Sequence, residues 1–179
     1  ELKKRHPTLK VAVTMFNDRV DEYVEKSIKY ESLIDSFNTD SVAVAKSFNS
    51  KFTHSLEAEV IQNGIDCFNE FNPELFDRAG MRKQLGINDD EQAVFFVGRL
   101  SEEKNPDVFI KAMDKVTKQH KVKAFIIGDG PMGPECDALL RHAKNRNIIN
   151  LGYQKDVAQY LSACDVFVLP SKVEGFPLS

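Results

Sequence analysis

The chain has 179 residues, with 24 Lys and Arg against 27 Asp and Glu, and a formal net charge of −3. Its 42% hydrophobic and 28% charged residues are typical of a folded globular protein, which excludes a disordered chain, a collagen-like repeat and a disulfide scaffold. The longest apolar runs, such as Val166–Leu169, are the size of a strand and far shorter than the ~20 residues that span a bilayer. The sequence therefore predicts no transmembrane helix.

The charge distribution and the cysteines limit the possible classes of protein further. Residues 1–56 carry a net charge of +1 and residues 57–179 a net charge of −4, so neither part is a basic surface for nucleic acid. The three cysteines, Cys67, Cys136 and Cys164, form no C-x-x-C pair, which favours reduced thiols in a cytoplasmic protein. Each is expected to be a small buried hydrophobic residue. The chain lacks an initiator Met and an apolar leader and stops after a predicted strand, so we expect an internal piece of a longer protein.

The first third of the chain alternates between short apolar runs and one helical pattern. Val11–Met15 is predicted to be a strand, and apolar residues at three- and four-residue steps predict an amphipathic helix over residues 20–37. Residues 42–45 are predicted to be a small buried strand. Residues 59–62 are predicted to be another strand, which ends at the turn dipeptide Asn63-Gly64.

A long connection over residues 66–80 leads into a predicted helix near Phe76–Leu85, which Gly86 caps. Strands are then predicted at residues 93–97, 124–127, 148–151 and 166–169. Asn105 and Pro106 begin the first intervening helix, whose apolar face is predicted to carry Val108, Phe109, Ala112, Met113 and Val116.

The next helix carries Leu139, Leu140 and Ala143, and Asp156 with Gln159 resembles a capping box that opens the last helix. Strands that are apolar throughout and separated by helices predict an α/β fold, a doubly wound parallel sheet of the Rossmann type that is incomplete at both ends. We expect two domains, residues 1–56 and residues 57–179.

Ligands of such sheets bind beyond the carboxyl ends of the strands. Gly98 and Arg99 directly follow a predicted strand, and Lys104 lies just before a helix N-terminus. A guanidinium fork and an ammonium beside a helix N-terminus suit a diphosphate. The alternative for this pair is an Arg99 paired with a nearby carboxylate and a solvated Lys104.

Gly128, Gly130 and Gly133 formally fit the dinucleotide motif G-x-G-x-x-G. The next strand does not end in the carboxylate that such sites use, and Pro131 removes an amide from the turn. A close-packed strand-to-helix turn therefore explains the glycines better, and a dinucleotide-binding oxidoreductase domain is kept as an alternative.

The loop Glu174–Leu178 also follows a predicted strand. Its carboxylate could accept hydrogen bonds from sugar hydroxyls, and the amides of Gly175, Phe176 and Leu178 could hold anionic oxygens. A surface glutamate followed by a turn is the alternative. The four histidines show no metal-ligand spacing, and neither a D-x-D pair, a Walker A loop nor a G-x-S-x-G elbow occurs.

Several linked segments, in this order, resemble the donor-binding domain of retaining family-four glycosyltransferases with the GT-B fold. They are Val97–Leu100 with Lys104-Asn105, Ile126–Pro131, Asn150–Tyr153 with Asp156-Val157, Asp165–Ser171 and Glu174–Leu178. Upstream, Gln62–Asp66 is similar to the turn that enters that domain. Asp40–Val44 with Ser47 is similar to the last strand of the N-terminal domain, so the resemblance covers about residues 40–179.

The resemblance implies transfer of a sugar from a nucleotide-diphosphate sugar with retention of anomeric configuration and without a metal. Arg99 and Lys104 would hold the diphosphate and stabilise the leaving nucleotide, and Glu174 would contact the transferred sugar. Gly98 would lie beside the donor, the loop of Gly175, Phe176, Pro177 and Leu178 would bind phosphate oxygens or sugar hydroxyls, and the turn at Tyr153 would line the base pocket.

The donor would be a co-substrate, with UDP-, GDP- and ADP-sugars all open, and no further cofactor is expected. The acceptor could be a sugar, a lipid-linked glycan or a protein in polysaccharide or glycoconjugate synthesis, at the cytosolic face of a membrane where it is lipid-linked. The family's second glutamate, eight positions after Glu174, and most of its N-terminal domain are absent from this chain, so we expect the chain alone to be inactive. A GT-B sugar-nucleotide epimerase or an inactive glycosyltransferase-like subunit is a further alternative.

Overall fold

The structure is a computed structural model that describes residues 2–16, 27, 29–51 and 57–179. The chain divides into two compact units, one of residues 1–64 with 173–178 and one of residues 65–172 with 179. Each has its own parallel sheet. The α/β fold predicted from the alternation of apolar strands and helices is confirmed.

The first unit contains a sheet of three parallel strands in the order β1-β2-β3: β1 (Ala12–Met15), β2 (Ser36–Thr39) and β3 (Ala58–Val60). Helix α1 (Leu2–Arg5) precedes the sheet, a 3-10 turn covers Glu31–Leu33, and helix α2 (Val42–Lys51) follows β2. The buried core comprises Met15, Ile34, Phe37, Val44, Ala45, Phe48 and Ala58.

The predicted strand at residues 42–45 is wrong, because this run begins helix α2. Val44, Ala45 and Phe48 are buried at a helical spacing, and the carbonyl of Ser41 accepts the hydrogen bond from the Ala45 amide that starts the helix. The similarity of Asp40–Val44 to a strand fails for the same reason, since the strand ends at Thr39.

The helix predicted over residues 20–37 is wrong at its end, because Ser36 and Phe37 lie in β2, where Phe37 pairs with Val13. The part of that prediction over residues 20–26 and 28 lies outside the described residues. The first unit extends to residue 64, eight residues beyond the domain boundary predicted after residue 56. Strand β3 pairs with β2 through Phe37 and Ala58, so the first unit includes it.

The second unit contains four parallel strands in the order β6-β5-β4-β7. They are β4 (Gln92–Val97), β5 (Val122–Ile127), β6 (Ile148–Gly152) and β7 (Val166–Phe167). The helices are α3 (Arg78–Gln84), α4 (Pro106–Val116), α5 (Gly133–Ala143) and α6 (Val157–Leu161), with a 3-10 turn at Pro73–Leu75. Gly86, at φ +66°, ends α3 as predicted.

Alternate residues of β4 face opposite sides of this sheet, and both sides are buried. Val94 and Phe96 pack with residues of α4 and α5, whereas Ala93, Phe95 and Val97 pack with residues of α3 and with α6 or the turn after it. The predicted doubly wound arrangement is therefore confirmed for this unit. Strand β7 is a sheet edge, and its Val166 and Phe167 are 43% and 38% exposed.

Two local expectations for the helices need correction. On α4, Ile110 is buried with Phe109 and Met113, whereas Val108 and Ala112 are exposed, so the apolar face is rotated from the predicted one. Asp156 does precede α6, but its side chain makes no capping hydrogen bond, so the predicted capping box is absent. Among the described residues, no helix has both the length and the apolar character needed to cross a membrane.

Candidate functional site

The carboxyl ends of the four strands of the second unit lie along one edge of its sheet. The chain runs from β4 outward through β5 to β6 and then returns to the other side of β4 as β7. The strand order therefore reverses between β4 and β7, and such a switch point is where open α/β sheets form a ligand crevice. Gly98 follows β4 at this point, and Val168–Lys172 follow β7.

The glycines after β5 are required by packing inside the protein. A Cβ at Gly128 would lie 2.0 Å from the Gly98 carbonyl oxygen, and one at Gly130 would lie 2.5 Å from the Leu100 carbonyl oxygen. The Leu100 amide also donates to Asp129 O at 2.7 Å, and the Met132 amide donates to Leu100 O at 2.9 Å. The predicted close-packed turn is confirmed, and these glycines buttress the loop that carries Arg99.

Arg99 and Lys104 stand at the two ends of a tight loop after β4. The amides of Lys104 and Asn105 both donate to the Ser101 carbonyl, at 3.0 and 3.2 Å, which closes the loop. Arg99 is exposed, and its guanidinium makes no ion pair or hydrogen bond with any residue that the structure describes. The alternative in which Arg99 pairs with a neighbouring carboxylate is therefore not observed. Lys104 is half-buried.

Asn105 occupies the N-cap position of α4, and Pro106 follows as its first residue, as predicted. The Asn105 side chain, however, makes no capping hydrogen bond. Its Nδ2 instead donates to the carbonyl of Pro170, after β7, at 2.9 Å. The hydrogen bond that an N-cap asparagine usually makes is thus replaced by a contact across the switch point.

The turn after β6 is hydrogen-bonded to the rest of the unit on one side and exposed on the other. Gly152 adopts φ +67°, no heavy atom lies within 4 Å of the position that a Cβ would take there, and Tyr153 is 69% exposed. Gln154 donates through Nε2 to Leu151 O at 2.7 Å and accepts from the Tyr160 hydroxyl at 2.9 Å. The Gly128 amide donates to Gly152 O at 2.8 Å, so this turn is joined to the glycines after β5.

The segment with Glu174 belongs to the first unit. A Cβ at Gly175 would lie 2.1 Å from the Phe16 carbonyl oxygen and 2.9 Å from Asp40 Oδ1, so no other residue fits at 175 without a shift of the backbone. Glu174 is half-buried, and Phe176 and Leu178 are 38% and 58% exposed. The convergence of Glu174 with Arg99 and Lys104 on one ligand stays a prediction, as do the roles of the Gly175–Leu178 amides.

Asp40 is a buried carboxylate that no sequence motif marks. It follows β2, is 4% exposed, and its Oδ1 has no hydrogen-bond donor among the described residues. Burial raises the pKa of this carboxyl, against the opposing effect of its own backbone amide. A Thr-Asp pair at a strand end gives no sequence signal of burial, because it is typical of a helix start.

Asp165 is a second carboxylate whose structural role the sequence did not predict. Its carboxylate binds Arg78 at 2.5 Å, Arg82 at 2.9 Å and the Ala93 amide at 2.7 Å. Burial works to raise the pKa of Asp165, but the hydrogen bonds from Ala93 and the two guanidinium groups together hold it below the usual value. The network joins α3, β4 and the start of β7, so it fixes β7 beside β4.

The three cysteine thiols differ in their burial. Cys136 is fully buried, which raises the pKa of its thiol to about 11, and burial also raises that of Cys164. Cys67 is exposed, so its predicted burial is wrong. Across residues 2–16, 27, 29–51 and 57–179, no group of three His, Cys, Asp or Glu side chains is arranged to hold a metal ion.

Comparison with known proteins shows the family to which the chain belongs. The family model described as glycosyl transferases group 1 matches residues 77–179, more than half of the chain. An uncharacterized glycosyltransferase of Methanocaldococcus jannaschii is 30% identical over 86% of this chain and 36% of its own length. The Escherichia coli UDP-Gal:alpha-D-GlcNAc-diphosphoundecaprenol alpha-1,3-galactosyltransferase is 30% identical over 72% of this chain and 34% of its own length. The chain thus spans about a third of these relatives.

Solved structures agree on the fold. TarM of S. aureus, crystallised with Fondaparinux, alpha-GlcNAc-glycerol and UDP, superposes on 97% of this chain and 34% of its own with a TM-score of 0.77 at 18% identity. Anabaena HepE with UDP-glucose superposes on 95% of this chain and 49% of its own, also with a TM-score of 0.77 and 18% identity. The fold is that of GT-B glycosyltransferases, and the chain belongs to the group 1 glycosyl transferases.

Proposed function

We propose that the protein transfers a sugar from a nucleotide-diphosphate sugar to an acceptor, with retention of anomeric configuration and without a metal. In this proposal the donor-binding residues lie within residues 57–179. The observation that carries it is the exposed guanidinium of Arg99, which has no partner among the described residues and stands at the switch point between β4 and β7. The solved neighbours that carry UDP or UDP-glucose support a nucleotide sugar as the ligand class.

The chemistry of the two cations suits departure of a diphosphate. As the bond between the sugar and the diphosphate breaks, negative charge accumulates on the leaving oxygens. Arg99 offers a planar pair of donors and Lys104 a compact charge, and fixed cations beside this oxygen stabilise the transition state more than the ground state. In the absence of a metal, these side chains would supply that stabilisation.

The remaining predicted residues complete the proposal. Glu174 would contact the transferred sugar beside its anomeric carbon, and the acceptor would attack from the face that the diphosphate leaves. The amides of Gly175–Leu178 would hold phosphate oxygens or sugar hydroxyls, and the turn at Tyr153 would line the base pocket. We propose that the acceptor is a sugar, a lipid-linked glycan or a protein. The enzyme would act in the cytoplasm and, for a lipid-linked acceptor, at the cytosolic face of the membrane.

The test uses the full-length protein and a panel of UDP-, GDP- and ADP-sugars, read first as thermal stabilisation. A ligand at 100 times its dissociation constant adds about 2.7 kcal/mol to the free energy of unfolding. Arg99→Ala and Lys104→Ala are each expected to cost about 1.5–3 kcal/mol of donor binding, as loss of a charge-assisted hydrogen bond does. Arg141→Ala, which removes an exposed arginine from α5, is the matched control.

Unchanged donor affinity in both variants would refute the assignment. Product analysis separates the finer claims: the anomeric configuration of the product tests retention, and activity after exhaustive chelation tests metal independence. Interconversion of the donor without transfer would instead indicate the epimerase alternative, and donor binding without turnover would indicate an inactive subunit.

A further inference from the structure

Asn105 adopts a conformation that its local position does not favour. Its φ and ψ of 51° and 49° are left-handed, which costs a non-glycine residue about 1–2 kcal/mol, although Asn tolerates it better than most. An asparagine at an N-cap usually gains stability by accepting a hydrogen bond from an amide in the first turn, and this one does not. Something other than helix stability therefore fixes this side chain.

The partner of the Asn105 side chain shows what that is. Nδ2 donates to Pro170 O at 2.9 Å in a partly buried contact between residues 65 positions apart. A second bond runs alongside, from the Lys172 amide to Glu103 O at 2.8 Å. Residues 103 and 105 are thus both tied to the segment 170–172, and Lys104 lies between them. We call these two hydrogen bonds the switch-point brace.

The brace spans the reversal of strand order. Its one side is the loop after β4 and its other side the chain that leaves β7. Ser171, between the two bonded residues, has a buried Oγ without a partner among the described residues. The Ser171 side chain therefore adds no hydrogen bond to those of the brace in holding residues 170–172 in place.

We infer that Asn105 is a positioning residue, which holds the main chain at Lys104 in place for the phosphates of a nucleoside diphosphate. This inference rests on the proposed function. A charge that is already fixed where the anion binds costs no reorganisation on binding, whereas a loop that must order first weakens affinity. The brace acts on the phosphate part of the ligand and leaves contacts to the base unchanged.

Two variants of the full-length protein separate positioning from folding. Asn105→Gly keeps a residue suited to the left-handed backbone and to an N-cap, and removes only the amide group. Asn105→Asp keeps the shape and the capping oxygen but faces the Pro170 carbonyl with an acceptor. Both are expected to remain folded. Asn105→Gly is expected to bind the nucleoside diphosphate about five- to tenfold more weakly, which is the loss of one hydrogen bond, and Asn105→Asp more weakly still, because its carboxylate also repels the phosphates.

The decisive readout compares each diphosphate, UDP, GDP or ADP, with its own nucleoside. With the base that the wild type binds, the Asn105 variants are expected to lose affinity for the diphosphate while affinity for the nucleoside changes less than about twofold. Asn145→Gly is the control, since the Asn145 side chain forms hydrogen bonds with Asp114, Thr117 and the Asn147 amide before β6, at the opposite end of the strands from the switch point. It is expected to lower the unfolding temperature without changing the ratio.

Equal weakening of both ligands in the Asn105 variants, or of neither, would overturn the positioning role while leaving the proposed function intact. A wild-type protein that binds no nucleoside diphosphate would instead refute the proposed function, and this inference with it. If Asn105→Gly unfolds, Asn105→Ala, which also removes the amide group and adds no charge, decides the question by the same criterion.

Discussion

The two units of the chain bury their cores in different ways. In the second unit both faces of the four-stranded sheet are covered, and Phe95, Phe96 and Phe125 are fully buried at its centre. In the described part of the first unit, a single cluster around Phe37 and Phe48 packs against three strands. The contrast indicates that the core of the second unit is divided between the two faces of its sheet, whereas the described core of the first unit is one cluster.

The largest expected effect tests this contrast by matched deletions. Phe95→Ala in the second unit and Phe37→Ala in the first each remove a buried ring that stands 4.8 Å from another ring, and each should cost about 3–5 kcal/mol of stability. Hydrogen exchange should show lost protection in the unit that carries the substitution. Equal loss in both units from either variant would contradict separate cores.

The glycines of the second unit give a sharper test of its close packing. Gly128→Ala places a Cβ against the Gly98 carbonyl at φ +138° and is expected to destabilise by about 2–4 kcal/mol, because backbone strain and overpacking add. Gly133→Ala is the control, since nothing lies within 4 Å of its Cβ position. Chemical denaturation should find it neutral or slightly stabilising. Similar losses in both variants would argue against the close approach.

The main polar anchor of the second unit is Asp165. Asp165→Asn should cost about 2–3 kcal/mol at pH 7, because two guanidinium groups lose a charged partner. Since folding lowers the pKa of Asp165, its contribution is present above the unfolded value of 3.8 and is lost as the pH falls below it. Asp107→Asn, which breaks an i,i+4 pair with Lys111, should cost only about 0.3–0.5 kcal/mol.

The smallest effects concern two carboxyl groups of the first unit with opposite pKa shifts. The ammonium of Lys3 and the Val11 amide lower the pKa of Asp35 to about 2, so its stabilisation should be lost as the pH falls from about 4 to about 2. Burial raises the pKa of Asp40, so its ionisation should destabilise the fold as the pH rises above 3.8. Denaturation at a series of pH values measures the free energy of unfolding. Asp40→Asn should remove its decrease with rising pH, and Asp35→Asn should remove its decrease between about pH 4 and about pH 2. A wild-type decline with rising pH that Asp40→Asn leaves in place would contradict the assignment.

The two units also differ in how far the sequence could predict their structure. Strands β4 to β6 are long, apolar and bounded by glycine turns, so periodicity identifies them. The run Val42–Ala45 is too short for its period to distinguish a strand from a helix, and β2 alternates polar and apolar residues within a longer helical pattern. Tertiary burial of Phe37 and Val44, which no local pattern encodes, settled both.

The candidate site divides similarly. The positions of Gly98, Arg99 and Lys104 at a strand end follow from the order of elements, and the packing need for Gly128 follows from its turn. The brace from Asn105 could not be predicted, because its partner Pro170 is 65 residues away and a local cap is the ordinary use of such an asparagine. The buried state of Asp40 likewise depends on contacts between distant segments.

The exposed edge at β7 has a consequence for the stability of the second unit. In the part of the chain that the structure describes, β7 pairs with β4 alone, and its Val166 and Phe167 side chains are largely accessible. Only Val94 and Phe95 of β4 pair with β7, so the Asp165 network contributes a large part of what holds this strand. Loss of that network should therefore release β7 from the sheet before any other strand of the second unit.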